Sequence, residues 1–211
     1  HILLQLLNDK GADSDLRGIS AISLIDSYRR RHQENKLQEL VGIFPSDENS
    51  DAMNTARRIL DLELMEEPKD GKALFEAIVA QCPDGLKSQP DFFRFIRPLA
   101  LRFKAYEVLA ALLEPYLAYS EKSHCDRNYF DLMLQARNVQ AIADFNSHLL
   151  ANGCFDADFI QRELDLVAKI SLRKARTRVF DILAYPLPER LRKTVNVWRD
   201  MIQAECGDLS S

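Results

Sequence analysis

The sequence predicts an all-α fold, and three observations carry the prediction. Apolar residues recur at helical spacing along nearly the whole chain, with only 7 Gly and 8 Pro in 211 residues to interrupt them. Alternation of β-branched residues is absent over any useful length, so strands are not expected. The helical pattern also repeats at a step of 36 residues: Leu24, Leu60, Ile96 and Leu132 keep that spacing, and the next step lands on Ala168. Four residues further on, Tyr28, Leu64, Ala100, Ala136 and Leu172 form an in-phase series on the same helical stripe. Leu37, Ala73, Leu109 and Phe145, with Val41, Ala77, Leu113, Leu149 and Tyr185, mark a second helix in each period. Two helices per period, each with an apolar face it cannot bury alone, mean a stacked array. The expected architecture is a right-handed α-solenoid of about five helix-turn-helix repeats over residues 1–185, with first helices lining the concave face. A capping helix and tail over 186–211 complete it.

The elements follow in order. "HILLQLL" is in helical register from His1, so residues 1–9 read as a truncated helix, and Gly11 follows it as a C-terminal cap would. Helix pairs are expected at 16–32 with 35–44, 49–66 with 70–81, 90–102 with 105–119, 127–137 with 139–152, and 157–169 with 172–184. The breaks between them carry turn and N-cap residues: "PSDENSD" at 45–51, "EEPKDG" at 66–71, "CPDGLKSQPD" at 82–91 and "SHCD" at 123–126. Pro98 should kink or distort its helix because it removes a backbone donor. Gly153 follows the 139–152 helix as a second C-terminal cap, 142 residues after Gly11 and so close to four periods. Pro186 and Pro188 end the last pair. The helix near 188–205 then presents Leu191, Val195, Trp198 and Met201 as an apolar stripe that covers the end of the stack or, alternatively, meets a partner.

Composition narrows the function classes. A net charge of −4 and a pI near 5.6 exclude a uniformly basic nucleic-acid binder but leave room for a basic groove. Cys82, Cys125, Cys154 and Cys206 are widely spaced without a CxxC pair, which suits free thiols in an intracellular, reducing compartment. No apolar run approaches the length of a spanning helix, so no membrane insertion is expected. The chain opens without the basic start of a signal or transit peptide and reads as a fragment of a longer protein. His124, Cys125, His148 and Cys154 fit no compact zinc motif, so no metal or cofactor is expected. Asp126, Asp131 and Asp144 have no spacing that would make an acid–base set, and no phosphate-binding or nucleophile motif is present. Neither catalysis nor a small-molecule substrate is expected.

"LLQLLNDKG" (3–11) with "SLIDSYRRRHQENKLQEL" (23–40) resembles the pentatricopeptide repeat, where an apolar helix ends in a Lys-Gly turn and the next carries a small polar residue before Leu-Ile. "YFDLML" (129–134) through "FNSHLLANG" (145–153) resembles it again, and "KARTRVFDIL" (174–183) resembles a second helix of the unit. The tetratricopeptide repeat is the rival, but its Trp, Gly-Tyr and Ala-Phe spacing is not evident. The resemblance implies single-stranded RNA as partner, one base per repeat read from the first helix. It also implies a role in organellar RNA metabolism, such as in the mitochondrial matrix; a tetratricopeptide-like protein–protein adaptor would instead fit the cytoplasm. The base-reading position matches Ser23 and Asp131, but Ile59, Phe95 and Val167 at the same step are apolar and depart from the code.

The residues themselves point to two basic stretches. "SYRRRHQ" (27–33) is either a phosphate-contacting cluster or a solvated helix end that favours the helix dipole. "DFFRFIRPLALRFKAYE" (91–107) interleaves four Phe with Arg94, Arg97, Arg102 and Lys104 and has no acid between Asp91 and Glu107. That pattern suits stacking on unpaired bases or a protein anchor site, or else a core helix with Phe92, Phe95 and Leu99 turned inward. Arg57 and Arg58 extend the basic strip. The candidate RNA- or partner-binding residues are therefore Ser23, Arg57, Arg94, Arg97 and Asp131.

Overall fold

The computed structural model describes residues 2–9, 11–44, 50–66, 69–88, 91–120 and 122–208, with side chains to Glu205. Parts of the expected turns, at 45–49, 67–68 and 89–90, lie outside the described residues, as do the Cys206 side chain and the last three tail residues. The described residues form helices and no strands. In chain order these are α1 (Ile2–Asn8), α2 (Ser14–Arg30), α3 (Glu34–Ile43), α4 (Asp51–Leu64), α5 (Gly71–Gln81), α6 (Asp84–Lys87), α7 (Phe92–Arg102) and α8 (Tyr106–Ala111). A 3-10 turn at Glu114–Tyr116 is followed by α9 (His124–Ala136), α10 (Val139–Ala151), α11 (Ala157–Ile170), α12 (Leu172–Leu183) and α13 (Glu189–Asp208).

Side-chain caps set many of the helix starts. Asp13 accepts from the amides of Asp15 (2.9 Å) and Leu16 (3.1 Å), and Ser50 from Met53 (3.3 Å). Ser123, Asn138, Asp156 and Ser171 cap α9 to α12 in the same way. At the other end of α10, Gly153 takes φ +73°, while its amide donates to Leu150 O (3.1 Å) and the Cys154 amide to Leu149 O (2.9 Å). That paired pattern is the glycine-closed helix end expected there. Gly11 instead donates its amide to Asp9 Oδ1 at 2.9 Å.

The chain divides into two compact units, His1–Leu112 and Leu113–Ser211. In the first, α2 is the centre: it packs on α1, α3, α4 and α7 and buries Ala21, Ile22, Leu24 and Ile25. Its closest neighbour is α4, where a Cβ built on Gly18 would lie 2.6 Å from Ala52 Cβ and 2.7 Å from the Ala52 carbonyl carbon. Only a glycine permits that approach. In a strictly linear stack α2 would reach α4 and stop; here it also packs on α7.

In the second unit, Phe130 stacks on Phe159 at 4.4 Å and Phe145 meets Phe159 edge-on at 5.8 Å, joining α9, α10 and α11. A further core of Leu164, Val167, Ala175, Val179, Ile182, Leu191, Val195 and Ile202 joins α11, α12 and α13. The last helix therefore shares a core with its neighbours. Its inward stripe runs through buried Leu191 and Val195, half-buried Trp198 and buried Ile202 rather than ending on Met201, which is exposed. Residue 202, not 201, completes the 3.6-residue period.

The first-helix series holds: Leu24, Leu60, Ile96 and Leu132 are all buried. In the second-helix series Leu37, Leu109, Leu113, Phe145 and Leu149 are buried. Ala73 and Val41 are exposed, and α5 buries Phe75, Ile78 and Val79 instead. The helix expected over 105–119 ends at Ala111, because Pro115 cannot donate an amide and clashes with the carbonyl four residues back. Pro98 lies within the continuous helix α7 on its exposed side, where the carbonyl it leaves without a donor can face water.

Candidate functional site

Helix α7 has a sharp division of faces. Phe92, Ile96, Leu99 and Ala100 are buried, while Arg94, Arg97 and Pro98 are exposed, with Phe93 and Phe95 half-buried between them. Arg94 lies over the Phe95 ring at 5.4 Å from its centroid and pairs with Asp91 at 3.2 Å, a contact open to water on both sides. Such a surface pair is worth under about 1 kcal/mol, so Arg94 can exchange it for another anion. Arg97 and, on α4, Arg57 are exposed and make no hydrogen bond or ion pair among the described residues. The three candidate arginines thus have guanidiniums available to a partner.

Other basic residues of the two stretches hold the first unit together. Arg102 donates to Glu63 O (3.4 Å), Glu66 O (2.8 Å) and Met65 O, closing the carbonyl end of α4. Positive charge at a helix C-terminus is favourable. Arg29 bridges Asp26 (2.5 Å), Glu63 (2.6 Å) and Phe95 O (3.1 Å), so one side chain ties α2 to α4 and α7. Arg30 pairs with the other oxygen of buried Asp26. Arg29 and Arg102 line a cleft of about 430 Å³ with His32, Glu63 and Met65, its arginines already engaged by internal partners.

The two base-reading candidates are also engaged. Ser23 Oγ donates to Ile19 O within its own helix at 2.9 Å. Asp131 accepts from Arg162 on α11 at 2.6 Å. Each lies in a different unit of the chain.

Three further polar groups were indistinct in the sequence. Asp126 is completely buried and accepts from the amides of Ala118 (2.9 Å) and Ser120 (2.6 Å) and from Ser123 Oγ (3.0 Å), pinning the segment before α9. Glu163 on α11, equally buried, accepts from Arg178 on α12 and from Asn146 Nδ2 on α10 at 2.7 Å. Arg178 also donates to Ser147 Oγ (3.1 Å) and Ala143 O (3.0 Å). Burial drives the Glu163 carboxyl above the usual carboxylate range, and the Arg178 guanidinium and the Asn146 amide oppose that shift. A sequence signal existed: Arg178 sits in the apolar register of "KARTRVFDIL".

Asp144 pairs with Gln140 (2.9 Å), apart from the partners of Asp126 and Asp131, so the three carboxylates share no ligand or hydrogen bond. Burial pushes the Cys82 thiol up to about 11, away from a reactive thiolate at neutral pH. Among the described residues no three His, Cys, Asp or Glu side chains gather to hold a metal ion. No helix among them is long and apolar enough to cross a membrane. Comparison with protein families, with characterised proteins and with solved structures finds no match to the chain.

Proposed function

We propose that this protein is a non-catalytic helical-repeat scaffold of pentatricopeptide-like type that binds single-stranded RNA. Its helix pairs are then units of a right-handed solenoid, and its setting is organellar RNA metabolism. The observation that carries the reading is the outer face of α7, where Arg94 and Arg97 stand in water beside Phe93 and Phe95. Guanidiniums neutralise phosphates and aromatic rings stack on unpaired bases. Because Ser23 and Asp131 are engaged internally, recognition rests on backbone and stacking contacts rather than on one base read per repeat.

The test is fluorescence anisotropy with a pool of short single-stranded RNAs across a salt series. Micromolar or tighter binding that weakens with salt, and falls when Arg94→Ala is combined with Arg97→Ala, supports the reading. Absence of binding at low salt discards it. A second reading, a tetratricopeptide-like protein adaptor, draws on Val197 and Met201, one turn apart on α13 and 58% and 51% exposed. Retention of a partner protein that is abolished in Val197→Asp with Met201→Asp, without RNA binding, would favour it.

A further inference from the structure

Residues 169–199 carry nine Lys and Arg against two acids, Asp181 and Glu189, a formal +7 in a chain whose total is −4. No acid stands between Asp165 and Asp181. Helix α12 displays much of this charge in an ordered way. Its inner face, Ala175, Val179 and Ile182, is buried in the core with α11 and α13. Opposite that face Arg173, Arg176, Thr177 and Phe180 follow at i, i+3, i+4 and i+7, all exposed. Arg178 points to the interior network and is not part of the stripe.

Two features separate this stripe from an ordinary solvated helix face. On the adjoining helix α11, Arg162 is covered by Asp131 and Asp158, whereas Arg173 and Arg176 have no ion pair among the described residues. Phe180 is 46% exposed at the end of the same stripe, one turn beyond Arg176, although the buried core lies on the opposite side of the helix. Uncompensated guanidiniums in line with an exposed ring match a polyanion that carries unpaired aromatic bases. A membrane surface would require a broad apolar face beneath the charges, and this stripe offers one ring.

We propose that the outer face of α12 is a second binding surface for single-stranded RNA, with Arg173 and Arg176 on phosphates and Phe180 stacked on a base. The site rests on the RNA-binding reading above and extends it to the second unit. It lies on the second helix of a pair, apart from the positions where the repeat resemblance puts base readers.

The experiment uses the full chain, a labelled single-stranded RNA pool and a salt series. Arg173→Glu with Arg176→Glu weakens binding about tenfold or more and flattens the slope of log affinity on log salt by about 1.4, roughly 0.7 for each phosphate left without its guanidinium. Phe180→Ala weakens binding about tenfold and leaves the slope unchanged, because stacking releases no counterion. Both variants keep the wild-type circular dichroism and melting, since the substituted side chains are exposed. If wild-type protein binds RNA and both variants match it in affinity and slope, the α12 site is wrong while the RNA reading stands. If wild-type protein binds no RNA at low salt, both fall together. Binding to phosphatidylserine vesicles that the Arg variant abolishes, with RNA affinity unmoved, overturns the site in favour of a membrane surface.

Discussion

At the scale of single residues, availability is what separates the candidate binding residues. Polar side chains near other polar groups are drawn into internal bonds, as Ser23 is to Ile19 O and Asp131 to Arg162, and the sequence does not show which will be. Glu163 shows the energetic side. Its folded carboxyl is raised by burial, so its own contribution to stability is greatest below the ordinary value of 4.5 and declines as pH rises through the folded value. Arg178 limits that decline by holding the ionised form. Arg178→Ala therefore destabilises the second unit by about 3–5 kcal/mol at pH 7, the range for breaking a buried pair. The carboxyl then shifts further up and takes a proton more readily, so the deficit shrinks as pH is lowered toward 4. Urea unfolding of wild type and variant at pH 7 and pH 4 measures it; an equal deficit at both values would show that Glu163 is not the group responsible.

At the scale of elements, the crossing of α2 and α4 is the most constrained feature. Gly18→Ala adds helix propensity worth about 1 kcal/mol, yet its methyl would sit 2.6 Å from the Ala52 side chain and 2.7 Å from its backbone. The helices must part, and overpacking of this kind costs about 1–3 kcal/mol. Net destabilisation is expected, with only partial rescue by Ala52→Gly because backbone atoms share the contact. Thermal melts of the single and double variants decide it, and a stabilised Gly18→Ala would refute the close approach. The same elements show what was legible in the sequence. Leu24, Leu60, Ile96 and Leu132 were readable as buried because each stands in the apolar register of its own helix. The second helices were less so: α5 turns Phe75 inward in place of Ala73, and Pro115 stops α8 early. Those outcomes depend on how a helix rolls against its neighbours, which a fixed 36-residue step does not encode. Of the site, the Arg–Phe face of α7 was legible from its long acid-free run. The engagement of Arg29 and Arg102 was not, since it is set by pairings 34 to 66 residues away.

At the scale of the whole molecule, each of the two units carries its own core, and their charge is unevenly distributed. The stretch 169–199 is strongly positive, so the rest of the chain bears a formal −11. A polyanion approaching such a molecule is attracted by one region and repelled by others, and that contrast gives orientation rather than affinity. The second unit contains the aromatic cluster of α9 to α11, the apolar core of α11 to α13 and the buried Glu163–Arg178 pair, each built from residues after Leu112. A fragment spanning 113–211 is therefore expected to fold alone, with a helical spectrum and a single cooperative melt of roughly 60–80 kcal/mol, the enthalpy usual for about 100 residues. Far-ultraviolet circular dichroism and calorimetry test this directly. A broad transition without an enthalpy peak would mean that the aromatic and aliphatic cores need the first unit to order them. A cooperative melt would allow RNA binding to be measured on the α12 surface in isolation. The salt slope of the fragment should then lie below that of the full chain by the phosphates that α7 neutralises.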